Sequence, residues 1–131
     1  MKAAMMGAIA FQKGLGACHS LAHPLSSEAG MHHGLANALC LPAVVAFNTH
    51  AVPERVAAVA AALGVSRGIA LAEALAGLRA DLGLPSGLAA AGIDRSQLPK
   101  LAAKALEDAC HRSNPRSCCE RDLLGLYEAS F

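Results

Sequence analysis

Four of the six histidines lie within fifteen positions of one another, at spacings that allow metal binding or proton transfer. His19 and His23 are four residues apart, so on a helix both imidazoles project from one face. Such a pair can hold one divalent metal ion, or can place one ligand beside a group that transfers protons. His33, which follows His32, begins the next apolar segment, where a neutral imidazole could bind a metal or cap the helix. Packing alone explains four imidazoles in a nearly charge-free stretch poorly.

The other candidate side chains favour structural roles. Asp108 and His111 close a predicted helix, where a histidine commonly interacts with the helix dipole. His50 is an isolated histidine, which is typical of an exposed or core-edge position. The vicinal Cys118 and Cys119 stand at a predicted helix start without a nearby base in the sequence. The sequence has no GxSxG, Walker or GxGxxG motif, so it offers no nucleophile elbow or phosphate loop.

The elements that carry these residues are predicted to be helices. Hydrophobic residues make up 54% of the 131 residues, but aromatic residues only 3%, and the surplus is the helix formers Ala and Leu. The β-branched and aromatic alternation of an all-β domain is missing. We predict an all-α fold, a bundle of about six to seven helices in a single domain over 1–131.

Helix boundaries follow from glycines, prolines and apolar spacing. The first helix ends at Gly14 and Gly16, two glycines that mark a break or a close backbone approach. Pro24 should end or kink the second helix. Apolar faces are expected at Val56, Val59 and Leu63, and at Leu71, Leu75, Leu78 and Leu82. The predicted helices cover 2–13, 17–22, 34–48, 53–63, 66–82, a stretch from Asp94 or Ser96 to near Ser113, and 118–130.

Charge and cysteine content exclude several classes of protein. A net charge of +1 and four aromatic residues give no field or stacking surface for nucleic acid. The apolar stretch between Ala36 and Phe47 is too short to cross a bilayer, and the start of the chain has too short an apolar run for a signal peptide. Five scattered cysteines without a CxxC predict a reducing cytoplasm rather than a disulfide framework.

With these residues in view, the sequence resembles the iron-containing (group III) alcohol dehydrogenases. The family pattern G-x-x-H-x-x-x-H-P-L corresponds to Gly16 through Leu25, and H-G-x-x-N-A corresponds to His33 through Ala38. Leu41-Pro42 and Phe47-Asn48 follow as in the family. The resemblance continues through Leu82-Gly83-Leu84-Pro85 and Asn114-Pro115-Arg116 to the last predicted helix, so it covers the whole chain.

The resemblance implies the C-terminal helical domain of the dehydroquinate synthase-like fold. It implies that His19 and His33 bind the catalytic Fe²⁺ or Zn²⁺, and that His23 lies near the nicotinamide of NAD or NADP as a cofactor-contacting or proton-transferring residue. Members interconvert small alcohols with aldehydes or ketones, with the metal polarising the oxygen. His32 replaces a common family proline and leaves open whether His32 or His33 binds metal, although Gly34 favours His33.

The resemblance covers about the last third of such an enzyme. The family's N-terminal nucleotide-binding domain has no counterpart in these residues, nor has the helix whose Asp and His supply the other two ligands. We therefore expect weak metal binding and no activity from the isolated chain. Three alternatives stay open: a non-enzymatic helical interaction module or remnant subunit, a homo-oligomer formed through exposed apolar surface, and a relative of the maleylacetate reductases.

Overall fold

The computed structural model describes residues 1–66 and 68–131, and the regular elements in these ranges are all helical. This confirms the predicted all-α class and the predicted number of helices. Two short 3₁₀ turns, Arg95–Gln97 and Ala109–Ser113, flank the sixth helix. The α-helices of the described residues are α1 Lys2–Phe11, α2 Gly16–Ser27, α3 His33–Thr49, α4 Pro53–Ala62, α5 Leu71–Asp81, α6 Leu98–Glu107 and α7 Glu120–Ala129.

The hydrophobic core lies between α2, α3, α6 and α7. Tyr127 on α7 is completely buried, and its hydroxyl donates a hydrogen bond of 2.6 Å to the carbonyl of Leu21 on α2. A buried aromatic ring with a satisfied hydroxyl contributes both apolar area and orientation to such a core. The leucines packed around it come from all four helices: Leu21, Leu25, Leu39, Leu98, Leu101 and Leu123.

Helix α2 begins where the chain passes close to the segment after α6. The backbone N–H of Ala17 donates to Asn114 Oδ1 at 3.2 Å, and that of Gly16 donates to Ser113 Oγ at 3.3 Å. These side chains satisfy N–H groups that the first turn of a helix leaves unpaired. Gly14 and Gly16 have φ angles of +102° and +71°, which confirms that the glycine pair marks a break and a close approach.

The segment Phe47-Asn48 contacts the segment Asn114-Pro115-Arg116, although the two are far apart in sequence. The amides of Asn48 and Asn114 exchange hydrogen bonds of 3.0 and 2.7 Å, and the guanidinium of Arg116 lies 3.8 Å above the ring of Phe47. A cation over an aromatic face is attracted by the ring quadrupole. The Phe-Asn and Asn-Pro-Arg motifs therefore fasten the end of α3 to the segment that holds α2.

Several predicted features differ from the structure. Helix α2 spans Gly16–Ser27 rather than 17–22, so Pro24 lies inside it and does not end it. Proline removes one backbone donor, but the following turn still closes, with the Glu28 N–H donating to the Pro24 carbonyl at 2.9 Å. Helix α6 ends at Glu107 instead of near Ser113, because Asp108 caps a separate 3₁₀ turn. Helix α5 begins at Leu71, whereas the prediction was 66–82; residue 67 of that range lies outside the described residues.

Some predicted apolar faces are solvent-exposed. Leu71 is buried as expected, but Leu78 and Leu82 are 51% and 66% exposed, so only the first part of their predicted stripe faces inward. The predicted face of α4 is also open, since none of that helix is buried. Helix α1 likewise buries no residue, and its methionines, Ile9 and Phe11 point to solvent.

Among the described residues, every helix is too short or too polar to cross a membrane.

Gly14 offers a test of the close approach at the start of α2. A Cβ atom at Gly14 would lie 2.5 Å from Ser113 Oγ, whereas one at Gly92, with φ +89°, would meet no atom within 4 Å. Both Gly→Ala variants suffer the strain of positive φ, about 1–2 kcal/mol. We expect Gly14→Ala to lose about 1 kcal/mol more, because Ser113 must move and overpacking adds its own cost.

Urea unfolding followed by circular dichroism measures both variants against the unchanged chain. Equal losses for Gly14→Ala and Gly92→Ala would show that the contact with Ser113 contributes nothing.

Candidate metal and proton-transfer site

Helices α2 and α3 bring three imidazoles into one cluster. His19 and His23 project from the same side of α2, and His33 is the first residue of α3. The ring centroid of His33 lies 5.3 Å from that of His19 and 5.4 Å from that of His23, and the two α2 rings are 5.9 Å apart. The three residues predicted to form the site therefore lie together in the structure.

The spacing of the rings fits imidazoles that share one metal ion. Two histidines bound to a tetrahedral ion at about 2.0–2.1 Å have ring centroids about 5 Å apart. The separation of His19 and His33, 5.3 Å, is close to this value. The donor set is nitrogen, which suits Fe²⁺ and Zn²⁺ rather than Ca²⁺ or Mg²⁺. The residues present therefore fit the divalent metal that the sequence pattern implies.

His33 is oriented by the next turn of its own helix. The side-chain amide of Asn37 donates to the His33 carbonyl at 3.0 Å, and its Nδ2 also lies 3.0 Å from His33 Nε2. Because a carbonyl only accepts, the nitrogen of the amide must face His33, and Nε2 is then the unprotonated ring atom. The lone pair of Nε2 accepts the hydrogen bond from Asn37, so a metal bound at this atom would have to displace the Asn37 amide.

His32 has a different position from its neighbour. Its side chain is exposed, and its Nδ1 accepts a hydrogen bond from the Gly34 N–H at 3.2 Å as the N-cap of α3. The capping role considered for His33 thus belongs to His32. Capping of this kind satisfies one of the unpaired donors of the first turn.

Burial lowers the pKa of His19, and the neighbouring imidazoles of His33 and His23 lower it further. The backbone of Leu15 acts weakly in the opposite direction. The Nδ1 atom of His19 is shielded from solvent and has no hydrogen-bond partner of good geometry among the described residues. A lowered pKa keeps this imidazole neutral, which is the form that binds metal.

Asp108, at the start of the 3₁₀ turn after α6, also contacts this site. Its Oδ2 lies 2.7 Å from Nδ1 of His23, and its Oδ1 accepts hydrogen bonds from the hydroxyl of Ser20 at 2.8 Å and the N–H of Cys110 at 2.7 Å. Burial alone would raise the pKa of Asp108, but hydrogen bonds from His23, Cys110 and Ser20 hold it well below its usual range. The carboxyl is therefore ionised.

Sequence reasoning assigned Asp108 only a structural role beside His111. That interpretation was incomplete, because Asp108 also contacts the histidine cluster, whereas His111 bonds the Leu106 carbonyl at 3.1 Å. Asp108 and His23 are 85 positions apart, so no local spacing indicates their contact.

His23, Asp108 and Cys110 also form a group whose potential metal-binding atoms lie within 4.8 Å of one another. Burial and the adjacent Asp108 carboxylate raise the pKa of the Cys110 thiol to about 11. A thiol binds metal as its thiolate, so a protonated Cys110 is a poor ligand. We therefore interpret these three residues as a hydrogen-bond network centred on Asp108 rather than as a metal site.

Comparison with known proteins identifies the family. The model of the Fe-containing alcohol dehydrogenase family, C-terminal, matches residues 1–131. The 4-hydroxybutyrate dehydrogenase of Cupriavidus necator is 40% identical, with 100% of this chain and 37% of the relative covered. Lactaldehyde reductase of Escherichia coli K12 is 35% identical, with 90% of this chain and 33% of the relative covered. The chain thus spans about a third of the length of these relatives.

Solved structures agree with the sequence match. An alcohol dehydrogenase from Oenococcus oeni superposes with a TM-score of 0.81 and 30% identity, over 89% of this chain and 33% of that one. A 1,3-propanediol oxidoreductase gives the same TM-score with 32% identity, over 89% of this chain and 33% of that one. The helical bundle, the clustered histidines and a match over every residue lead to one conclusion: the chain belongs to the iron-containing alcohol dehydrogenase family and corresponds to its C-terminal helical region.

Proposed function

We propose that this chain is the metal-binding part of an NAD- or NADP-linked dehydrogenase that interconverts small alcohols and aldehydes. The observation that carries the proposal is the convergence of His19, His23 and His33 in a chain whose whole length matches the family. The names of the relatives support the substrate class, since they include a 4-hydroxybutyrate dehydrogenase and a lactaldehyde reductase.

In this proposal, His19 and His33 hold Fe²⁺ or Zn²⁺. A bound ion of this kind polarises an alcohol or carbonyl oxygen as a Lewis acid. The neutral state of His19 favours binding, and at His33 the ion would replace the Asn37 amide as the partner of the unprotonated Nε2. His23 is assigned to proton transfer rather than to the metal: its Nδ1 is paired with Asp108, and its Nε2 is left to face the substrate or cofactor.

His23 is the proposed catalytic residue and the proposed contact to the nicotinamide. Its ring stacks against that of His33, at an interplanar angle of 20°, and is only partly exposed. An imidazole held beside a metal site can take up or release the proton that accompanies hydride transfer. The chain's own contribution is therefore to hold metal and to move a proton.

The isolated chain is proposed to bind metal weakly and to lack dehydrogenase activity. Zinc and iron centres of enzymes ordinarily use three or four protein ligands, and this cluster offers two beside the paired His23.

The five cysteines of the chain are unpaired, which supports the expectation of a reducing compartment such as the cytoplasm.

Metal binding tests the assignment of the ligands. We expect ZnCl₂, and Fe²⁺ without oxygen, to bind the chain with one site in calorimetric titration. His19→Ala and His33→Ala should each weaken binding by about tenfold or more, because each removes a donor from a site with few donors. His50→Ala, an exposed histidine at the end of α3, is the matched control and should bind as the unchanged chain does.

Equal affinities of the His33→Ala and His50→Ala variants would contradict the proposed ligand pair. The proposed inactivity is tested by a dehydrogenase assay with 1,3-propanediol or 4-hydroxybutyrate, the added metal and either NAD or NADP. Robust turnover by the chain alone would contradict the proposed inactivity.

A second candidate function, association with another protein chain or with itself, is favoured by the exposed apolar surface. Helix α1 carries five large apolar side chains that are more than half exposed: Met1, Met5, Met6, Ile9 and Phe11. An apolar groove of about 690 Å³ also lies between α3, α4 and α5. Contiguous exposed apolar surface commonly marks an interaction site.

Light scattering over a range of concentrations tests this candidate. We expect the average mass to increase with concentration, because association would cover the apolar side chains of α1. Replacing Met5 and Ile9 by lysine should return the mass to that of a monomer, whereas the same change at the exposed Ala58 and Ala62 of α4, which do not line the groove, should not. A monomer at every concentration would contradict the association.

A further inference from the structure

Asp108 forms hydrogen bonds with Ser20, His23 and the backbone of Cys110. We propose that Asp108 is a positioning residue that holds His23 in the tautomer with the proton on Nδ1, so that Nε2 is the unprotonated atom. The inference concerns the chain's own residues, and its catalytic meaning rests on the proposed function. Some of the groups around Asp108 can only donate a hydrogen bond and others can only accept, and this fixes the tautomer.

The Oδ1 atom of Asp108 receives two donors whose direction is fixed. The backbone N–H of Cys110, at 2.7 Å, can only donate. Ser20 is completely buried, and its Oγ accepts a hydrogen bond of 2.7 Å from the N–H of His111. The single proton of that hydroxyl is therefore available for Asp108, to which Oγ lies 2.8 Å away.

The Oδ2 atom is thus left for His23. The contact between Oδ2 and Nδ1 is 2.7 Å, a distance typical of a charge-assisted hydrogen bond. An ionised carboxylate only accepts, so Nδ1 must be the donor. In a neutral imidazole the second nitrogen then carries the lone pair. The side chain of Asp108 is 22% exposed and that of His23 41%, so the pair is partly shielded from solvent.

This tautomer assigns a direction to the proton transfer of the proposed function. During alcohol oxidation, the O–H bond of the substrate breaks, its electron pair stays on oxygen, and the proton forms a new N–H bond at Nε2 of His23. The imidazolium that results has both nitrogens protonated, and its charge is paired with the Asp108 carboxylate. Aldehyde reduction returns the same proton to oxygen. The other tautomer would present an N–H to the substrate and could not accept.

Nitrogen NMR of the ¹⁵N-labelled full chain tests the proposal directly, without metal, nicotinamide or turnover. At about pH 8, above the ordinary histidine pKa of about 6.5, the two ring nitrogens of a neutral imidazole have distinct shifts. We expect the Nδ1–H form to dominate at His23. A dominant Nε2–H form in the unchanged chain would overturn the proposal.

Asp108→Asn makes the test sharper, because an amide has a donor end and an acceptor end. Its oxygen must face the fixed donors, Cys110 N–H and Ser20 O–H, so its NH₂ group faces Nδ1 of His23. We expect the tautomer of His23 to invert to Nε2–H. Asp122→Asn is the matched control, since Asp122 also accepts a backbone hydrogen bond, from Cys119 at 2.9 Å, but is not part of this network.

Two further measurements keep the result interpretable. Ser20→Ala removes one donor but leaves the carboxylate, so His23 should keep its Nδ1 proton even if the fold is weakened. An unchanged tautomer in folded Asp108→Asn would overturn the proposal. Zinc is then added to the unchanged chain: loss of the Nδ1 proton of His23 would also overturn it, since the atoms of His23, Asp108 and Cys110 would then serve as a metal site. The tautomer result stands apart from the proposed function, because failure of the chain to bind metal would not alter it.

Discussion

Hydrogen bonds between the first turn of α2 and the Ser113–Asn114 segment determine where the imidazoles lie. Asn114 accepts from Ala17 and pairs with Asn48, so one amide fastens α2, α3 and the segment after α6 together. One turn later, Ser20 makes the buried contact with His111 and Asp108. His19 and His23 occupy the same stretch of α2. Their positions are therefore fixed by a polar network as well as by the leucine core.

The helices were predictable because the signals for them are local. Alanine and leucine content gave the class, and glycines and prolines gave most of the boundaries. The placement of His19 and His23 on one side of α2 follows from their spacing. The family resemblance added His33, which no periodicity joins to the other two. Metal binding by His19 and His33, and the role of His23, stay predictions.

The contact between His23 and Asp108 could not be predicted, because it joins residues that are distant in sequence and depends on how α2 packs against the 3₁₀ turn after α6. The exposure of Leu78, Leu82 and Val59 could not be predicted for a related reason. An apolar stripe shows which side of a helix prefers burial, but not whether another element covers it. The described residues of the chain leave several such stripes open.

The exposure of helix α4 has a consequence for the dynamics of the chain. Helix α4 has no buried residue and contacts mainly the end of α3 and α5, whereas the imidazoles lie at the opposite end of α3 and on α2. Local opening has the lowest free energy where few apolar contacts are broken. Amide hydrogens of α4 should therefore exchange with solvent long before those of α2, and this exchange would proceed with the histidine cluster intact. The fold is thus expected to let α4 open without disturbing the helices that carry the three histidines.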